Sequence, residues 1–475
     1  MLRHCRLWKP SGVFIMAVKT TTRESFYNVY PHRDPICVSH YPNPVTEVTP
    51  ADIYGTMGLG DQPPAHNVGA VYVHVPFCAS VCIFCPFNKM AYQEKQVEQY
   101  MEAVKAEIGI YASSPYGSQS TISAVTFGGG TPSALSAERM VEMLKSVQAN
   151  YRVTPDAQIS FEGSPATLTL EKMQAIRAQG ANRISIGIQT FNDKMGHHLR
   201  MSHDSRRAFE VLEEAKEAGF ENIGIDLMYN LPEQTMEEWL EDVRTAVRLG
   251  IDHITVFSLC VVPFTALFKM IKEGKIPPTG SVELEVDMYL EAKRLLQEEG
   301  YVQYSVWDFA KPGFEDRHVL LYYTQQKDLF AHGPAAFGYV NKLMYINQGD
   351  IQEYSDRLQQ QFLSVFIASP ADDLEAMHGM MAKGLRMLSV KRKDFTGMFG
   401  FQPEEVFGKT IDELVAKGLL ETDEHEIRLS ARGIVWGNNV CKEFFSEANQ
   451  QTFESRVKLA RGQKPAEAAG EELKG

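Results

Sequence analysis

The chain has 475 residues, of which 44% are hydrophobic and 23% charged, as is ordinary for a globular protein. Its formal net charge is −13, from 47 basic and 60 acidic residues, which argues against a nucleic acid or an anionic membrane as partner. No apolar run approaches the ~20 residues of a membrane span. The length allows one large domain and a smaller one.

Residues 1–69 show scattered Pro, Asn and His and little periodicity, which predicts an N-terminal arm. Within it, residues 1–16 are expected to be a disordered extension, with Met16 as an alternative start. From residue 70 the chain alternates strands and helices. The predicted strands are 70–75, 123–127, 158–161, 183–188, 222–228 and 253–259, and the predicted helices are 97–112, 136–148, 169–179, 205–218 and 236–249. Repeated units of this kind predict a parallel sheet curled into a partial barrel, with its chemistry at the carboxyl ends of the strands.

Three of the seven cysteines follow the first predicted strand, at the spacing C-x3-C-x2-C. Cys78, Cys82 and Cys85 can hold three irons of a [4Fe–4S] cluster, which leaves the fourth iron open. A zinc site commonly uses paired C-x2-C units, and no second pair follows; zinc or structural thiols remain the alternatives. A disulfide framework is typical of short secreted chains. The other cysteines, Cys5, Cys37 and Cys441 among them, show no pairing pattern.

Further candidate site residues lie at or just after the carboxyl ends of the next predicted strands. The second strand leads into a Gly128–Pro132 run, where glycines allow close backbone approach and leave N–H groups for a ligand, or form only a turn. Strands three, four and five end in Glu162, Gln189 and Asp226. A carboxylate ending an apolar strand must be paired, so a salt bridge or a polar network inside the barrel is the alternative to a ligand contact. After strand six comes Cys260, either a site residue or a buried apolar thiol.

The cysteine spacing resembles the signature of the radical SAM superfamily, whose members use S-adenosylmethionine (SAM). The flanking Tyr-x-His-x-Pro-Phe-Cys, from Tyr72 to Cys78, resembles the branch that holds oxygen-independent coproporphyrinogen III oxidase. The resemblance spans about 70–445. It implies an α/β fold, a partial (β/α)6 TIM-like barrel with a small, mainly helical, winged-helix-like C-terminal domain. We therefore expect an arm at 1–69, the barrel and its extension at 70–370, the C-terminal domain at 371–445 and a disordered tail at 446–475.

The resemblance also implies cofactors and roles: a [4Fe–4S] cluster on Cys78, Cys82 and Cys85, and one or two SAM molecules. Positions implied to contact SAM are Tyr72, Phe84, Gly129, Gly130, Thr131, Glu162, Gln189, Arg200 and Asp226, with Cys260 against a second SAM and Phe337 in a Gly-rich loop over the site. Glu162 and Asp226 would position SAM for catalysis, and His318 and His332 would contact haem. His74 is either a structural hydrogen-bonder or a site residue. An electron donor such as a flavodoxin or flavin reductase is implied, and an oxygen-sensitive cluster predicts a cytoplasmic location.

Three departures from the oxidase pattern matter. Phe87 stands where the oxidases carry a fourth cysteine, Met201 where many relatives have arginine, next to Arg200, and Phe337 where they have histidine. The pattern looks closest to ChuW/HutW-type anaerobic haem-degrading radical SAM methyltransferases. That resemblance implies methyl transfer from SAM to haem, ring opening to a linear tetrapyrrole and iron release, with a haem- or product-handling protein as a further partner. A coproporphyrinogen III dehydrogenase and a haem chaperone without turnover remain open.

Overall fold

The computed structural model describes residues 23–34, 40–43 and 46–460. Six parallel strands form its centre: β1 Val68–Val75, β2 Thr121–Gly129, β3 Arg152–Gly163, β4 Arg183–Gln189, β5 Asn222–Tyr229 and β6 His253–Ser258. They pair in the order of the sequence, which confirms the predicted partial barrel. Cys5, Cys37, the alternative start at Met16 and the tail from 461 lie outside the described residues.

Five helices alternate with these strands: Glu94–Ser113, Ala137–Asn150, Leu170–Ala178, Ser205–Glu217 and Met236–Arg248. Several begin at a hydroxyl or carboxylate N-cap, and Thr235 and Glu238 form a capping box at the start of Met236–Arg248. Side chains alternate along the strands between two faces. Val71 and Val73 of β1 are fully buried in the main hydrophobic core, and Tyr72 between them faces the barrel interior. This alternation decides which predicted site residues reach the site.

Further strands widen the sheet on both sides. Leu329–His332, which the sequence pattern did not predict, pairs in parallel with β1, and Asp308–Ala310 pairs antiparallel with β6. Beyond them lie Phe337–Val340, Leu343–Asn347, Val365–Pro370 and Thr46–Glu47 on one side and Val302–Gln303 on the other. Phe77–Cys78 and Met90–Ala91 form a separate small pair. Two longer helices, Val282–Glu298 and Ile351–Gln359, accompany this extension.

The C-terminal region has three helices, Asp373–Arg386, Arg392–Phe399 and Pro403–Ala416, and a small antiparallel sheet of Ser389–Lys391, Glu426–Leu429 and Leu420–Thr422. Two further helices, Ala431–Val435 and Gly437–Lys442, are separated by Trp436, whose indole N–H donates to the Phe26 carbonyl (2.8 Å). The tail predicted to be disordered from 446 instead begins with the helix Glu447–Ala460. Asn449 is buried there and donates to Glu375 (2.8 Å), which anchors the start of this helix.

Shorter helical segments complete the described chain: Arg23–Phe26, Ile53–Thr56, Pro115–Gln119, Pro132–Ala134, Asp193–His198, Ala266–Lys272, Arg317–Val319 and Leu320–Thr324. The described part of the arm joins the barrel to the C-terminal region. Arg33 donates to the Tyr229 hydroxyl (2.6 Å), to Glu285 (2.7 Å) and to the Val435 carbonyl (2.7 Å). None of the described helices is long and apolar enough to cross a membrane.

Candidate active site

The three clustered cysteines lie in the loop at the carboxyl end of β1. Cys78 is buried, and Cys82 and Cys85 are partly exposed. The hydroxyl of Thr131, from the loop after β2, donates to the Cys78 Sγ atom (3.4 Å), and the Lys89 ammonium donates to the Cys85 carbonyl (2.6 Å). The loop after β2 is thereby joined to the cysteine loop, and a group held by the thiols would adjoin the barrel mouth.

The thiols are close enough to perturb one another. Burial raises the pKa of Cys82 to about 11, and the neighbouring Cys85 and Cys78 add to this shift. Burial likewise raises the pKa of Cys78, against the hydrogen bond from Thr131. Because thiolates are the ligands, metal binding must displace these protons. Among the described residues no three His, Cys, Asp or Glu side chains are grouped to hold a single metal ion. One thiol for each of three irons fits this donor set better than a mononuclear zinc site does.

Two carboxylates, Glu162 of β3 and Asp226 of β5, face the barrel interior. Glu162 is open to solvent but surrounded by protein, as in a residue that lines a concave cavity. Its one hydrogen bond given by the described residues is long, 3.3 Å from the Gly129 N–H to Oε2. Burial and the charge of Asp226 raise the pKa of Glu162 to about 7. Burial also raises the pKa of Asp226 to about 6, against the positive charge of Arg183.

Below these carboxylates lies a buried polar cluster that the sequence analysis missed. Arg183 of β4 donates to the Ser160 hydroxyl (3.0 Å) and lies 3.3 Å from Asp316. The Nε2 atom of His253 is 2.7 Å from the Tyr304 hydroxyl, and burial lowers the pKa of His253 to about 4. The signal was available, because a polar residue that begins a mostly apolar barrel strand must find an internal partner.

In the Gly128–Pro132 run, glycine is required at position 129 by the backbone conformation and by the packing of His74, whereas the sequence analysis expected it to allow contact with a ligand. Gly129 has a φ of +111°, and a Cβ atom there would lie 2.5 Å from the His74 imidazole. The N–H groups of Gly129 and Gly130 are already bonded, to Glu162 and to the Val75 carbonyl (2.8 Å). The expectation that they are free for a ligand is therefore wrong. SAM's amino group is itself a donor and would need acceptors.

His74 takes the structural one of its two predicted roles. Its Nε2 atom is 3.2 Å from the Asn88 carbonyl oxygen, and its Nδ1 atom is 3.3 Å from the Tyr72 hydroxyl. Burial lowers the pKa of His74 to about 4, so the ring is neutral. The imidazole fixes the cysteine loop against β2, where it packs on Gly129.

The remaining predicted residues divide by position. Gln189 ends β4 with a φ of +66°, a strained conformation that is typical of functional sites. Phe84 packs in an apolar cluster with residues of the loops after β4 and β6. Cys260 is partly buried directly after β6. Arg200 is exposed just beyond the helix Asp193–His198. Phe337 stacks on the ring of His40 (centroids 3.9 Å apart), so the arm covers part of its ring.

The two histidines predicted to contact haem lie on opposite faces of the sheet. His318 faces the interior with its ring 5.9 Å from that of Tyr72, and its buried Nδ1 atom has no hydrogen-bond partner among the described residues. His332 is fully buried on the outer face, with Nε2 3.0 Å from the Tyr151 hydroxyl and Nδ1 3.7 Å from Glu107. The prediction for His332 is wrong, because its neighbour Ala331 has the inward position opposite Tyr72.

The helix Asp373–Arg386 brings two buried cations to the aromatic wall beside this interior. The Lys383 Nζ atom lies 4.4 Å from the ring centroids of both Tyr322 and Tyr339, and burial lowers its pKa to about 7. The Arg386 guanidinium lies 3.9 Å from the Tyr323 ring. Met377, Met380 and Met381 of the same helix are buried with these cations.

Comparison with known proteins agrees with this arrangement. The radical SAM superfamily profile matches residues 72–246, and the HemN C-terminal domain profile matches residues 371–436. The heme chaperone HemW of Bacillus subtilis is 31% identical over 80% of this chain and 99% of its own length. The oxygen-independent coproporphyrinogen III oxidase of Escherichia coli K12 is 28% identical (80% and 86%), and the anaerobilin synthase of E. coli O157:H7 is 27% identical (78% and 82%).

Among solved structures, coproporphyrinogen III oxidase (HemN) from E. coli superimposes with a TM-score of 0.72 at 25% identity, covering 82% of this chain and 93% of that one. The chain therefore belongs to the radical SAM superfamily and, within it, to the family that contains HemN and HemW. Its cofactors are the [4Fe–4S] cluster and SAM of that superfamily. The anaerobilin synthase is less similar to this chain than the heme chaperone HemW of B. subtilis and the coproporphyrinogen III oxidase are, so the expected closeness to the ChuW/HutW type is supported only in part.

Proposed function

We propose that this protein is a radical SAM enzyme of anaerobic haem utilisation, which transfers a SAM-derived methyl group to haem and opens the macrocycle to a linear tetrapyrrole with release of iron. Haem as the substrate is supported by the similarity to the heme chaperone HemW and to the anaerobilin synthase, and the binding of SAM is supported by Glu162. It is open to the barrel interior, has one long hydrogen bond and is destabilised in its charged form by its surroundings. A carboxylate kept in this condition is available to a ligand's donors.

In this proposal Cys78, Cys82 and Cys85 hold the cluster, which supplies the electron that cleaves SAM when both are bound. Glu162 and Asp226 accept hydrogen bonds from hydroxyl or ammonium groups of SAM and so orient it. Tyr72 and His318 line the barrel interior with their rings 5.9 Å apart, where they could contact the substrate. The barrel walls exclude water from the reacting groups, and such positioning can account for several kcal/mol of a barrier.

A second function, haem carriage without turnover, is favoured by one specific observation: the chain covers 99% of the heme chaperone HemW of B. subtilis at 31% identity. The third reading, coproporphyrinogen III dehydrogenase, has the HemN-like fold in its favour and Phe87 against it, because Phe87 replaces the fourth cysteine of those oxidases.

The deciding experiment is anaerobic incubation of the cluster-containing protein with SAM, reductant and either haem or coproporphyrinogen III. A methylated linear tetrapyrrole with iron release from haem is the expected result. Stable stoichiometric haem binding without tetrapyrrole would favour carriage, and decarboxylation of coproporphyrinogen would favour the oxidase.

The cluster ligands are tested separately. Cys78→Ala should lose the cluster iron and its visible absorption, and Cys260→Ala should keep both.

A further inference from the structure

One outer surface beside the cluster loop differs in charge from the rest of the chain. We call it the loop face and define it by residues 79–92, 193–201 and 260–276. Its three segments share an apolar cluster that includes Phe84, Leu199 and Leu267. They are also tied through the backbone, because the Leu267 N–H donates to the Ile83 carbonyl (2.9 Å). The helix Ala266–Lys272 therefore begins directly on the loop that carries the three cysteines.

The loop face is basic in an acidic protein. Its segments contain six lysine or arginine residues (Lys89, Lys194, Arg200, Lys269, Lys272, Lys275) and two acidic residues (Asp193, Glu273), whereas the whole chain has a net charge of −13. Lys269 and Lys275 are 76% and 65% exposed and lie 4.0 Å and 2.8 Å from Glu273, the one acidic residue of their segment. Arg200 and Lys272 are also exposed. An acidic protein would be repelled by most of this molecule and attracted here.

The same face exposes large apolar side chains. Phe87 and Phe264 are each 65% exposed and Val81 is 48% exposed, and all three lie in the cysteine loop or in the segment packed on it. Apolar groups rimmed by charges of one sign are typical of a protein interaction site. Val81 lies between Cys78 and Cys82, and Phe87 follows Cys85 by two residues. A macromolecule docked on the loop face would therefore lie beside the cluster.

We propose that the loop face is the docking surface for an acidic flavodoxin-type carrier protein, which delivers the electron used in SAM cleavage. The reduced flavin loses one electron and the cluster gains it, so each docking event is a one-electron exchange. This inference rests on the proposed function only in requiring that reduction. The basic residues would speed encounter and the apolar ones would hold the docked complex.

The test measures the bimolecular rate of cluster reduction by reduced flavodoxin, followed by the cluster's absorption in the absence of haem. The double variant Lys269→Glu/Lys272→Glu should slow the reaction about tenfold at low ionic strength, and added salt should diminish the difference. Reduction by a viologen radical cation should keep its rate or become faster, because the small cation is not repelled by the new charges. Phe264→Gln should raise the dissociation constant of the complex with little effect on the salt dependence.

The matched control is Lys409→Glu. Lys409 is 91% exposed and lies 4.0 Å from Glu413 four residues on, the same arrangement as Lys269 and Glu273. Reduced flavodoxin should reduce the cluster of the Lys409→Glu variant at the wild-type rate. The inference is overturned if the double variant keeps its rate with flavodoxin, if flavodoxin and viologen lose rate equally, or if sedimentation shows that the variant breaks a dimer of the wild type. None of these outcomes depends on whether haem is degraded.

Discussion

Two glutamates on opposite sides of the sheet have contrasting surroundings. Glu107, on the outer side, is fully buried and accepts from the Gly333 N–H (2.8 Å), the Tyr354 hydroxyl (2.6 Å) and the Asn347 amide (2.8 Å). Glu162, on the inner side, accepts one hydrogen bond of 3.3 Å from the described residues and is open to solvent. The first carboxylate is satisfied by the protein, whereas the second retains most of its acceptor capacity.

The number of hydrogen bonds that a polar side chain already makes therefore distinguishes structural residues from site residues better than its amino-acid type does. Satisfied buried networks stabilise a fold, and an unsatisfied carboxylate is retained at an energetic cost that a ligand can offset. The Nδ1 atoms of His332 and His318 are both buried without a hydrogen-bond partner among the described residues, so the contrast between these histidines is one of position. His332 lies on the outer side, with Nε2 bonded to the Tyr151 hydroxyl and Nδ1 3.7 Å from Glu107, whereas His318 faces the interior. Four predictions test it.

The largest effect is expected from Glu107→Ala. Removing this carboxylate leaves three buried donors without an acceptor, so we expect the free energy of unfolding to fall by about 3–5 kcal/mol. Denaturant unfolding measures the loss, and SAM binding by the fraction that remains folded should be normal. A variant as stable as the wild type would show that the outer network is not structural.

Glu162→Gln should have the opposite profile. It replaces an ionisable acceptor by a neutral amide of the same size, and we expect SAM affinity to fall about tenfold or more because hydrogen bonds from charged groups are the strong ones. The thermal midpoint at pH 8 should not fall, since its surroundings already disfavour the charged form. SAM titration of the reduced cluster, followed by electron paramagnetic resonance, measures the affinity. Wild-type affinity would remove Glu162 from the SAM site.

The sequence was sufficient to predict the barrel because its strands and helices alternate regularly from residue 70 and each strand is a short apolar run. It also located Cys78 and Glu162, because parallel strands bring their carboxyl ends together. It failed at His332, where a motif in an unpredicted strand gave no information on which face the side chain takes; a shift of one residue reverses the face. It also missed Arg183 and Lys383, whose partners come from distant parts of the chain.

The third prediction uses the two histidines. His332→Ala removes a hydrogen bond to Tyr151 and leaves a cavity, so we expect a loss of about 2 kcal/mol in stability with unchanged haem affinity. His318→Ala should change stability by less than about 1 kcal/mol and weaken haem binding, because its ring lies in the interior. Haem titration and denaturant unfolding of both variants distinguish a structural role from a role in haem binding. Haem binding that depends on His332 alone would reverse the assignment of faces.

The smallest effect concerns pH and Asp226. Its pKa is raised by burial to about 6 in the folded protein from 3.8, so its contribution to stability is fully present below about pH 4 and is lost as the pH rises through 6. Asn cannot ionise, so Asp226→Asn should not lose stability in this way as the pH rises. Relative to the wild type, the cluster-free variant should therefore gain stability between pH 4 and pH 8, by about 1 kcal/mol because the side chain is partly solvated. Thermal unfolding across this range provides the measurement. A difference between Asp226→Asn and the wild type that does not change with pH would mean that the inner carboxylates carry no burial penalty, and the contrast with Glu107 would then rest on hydrogen bonding alone.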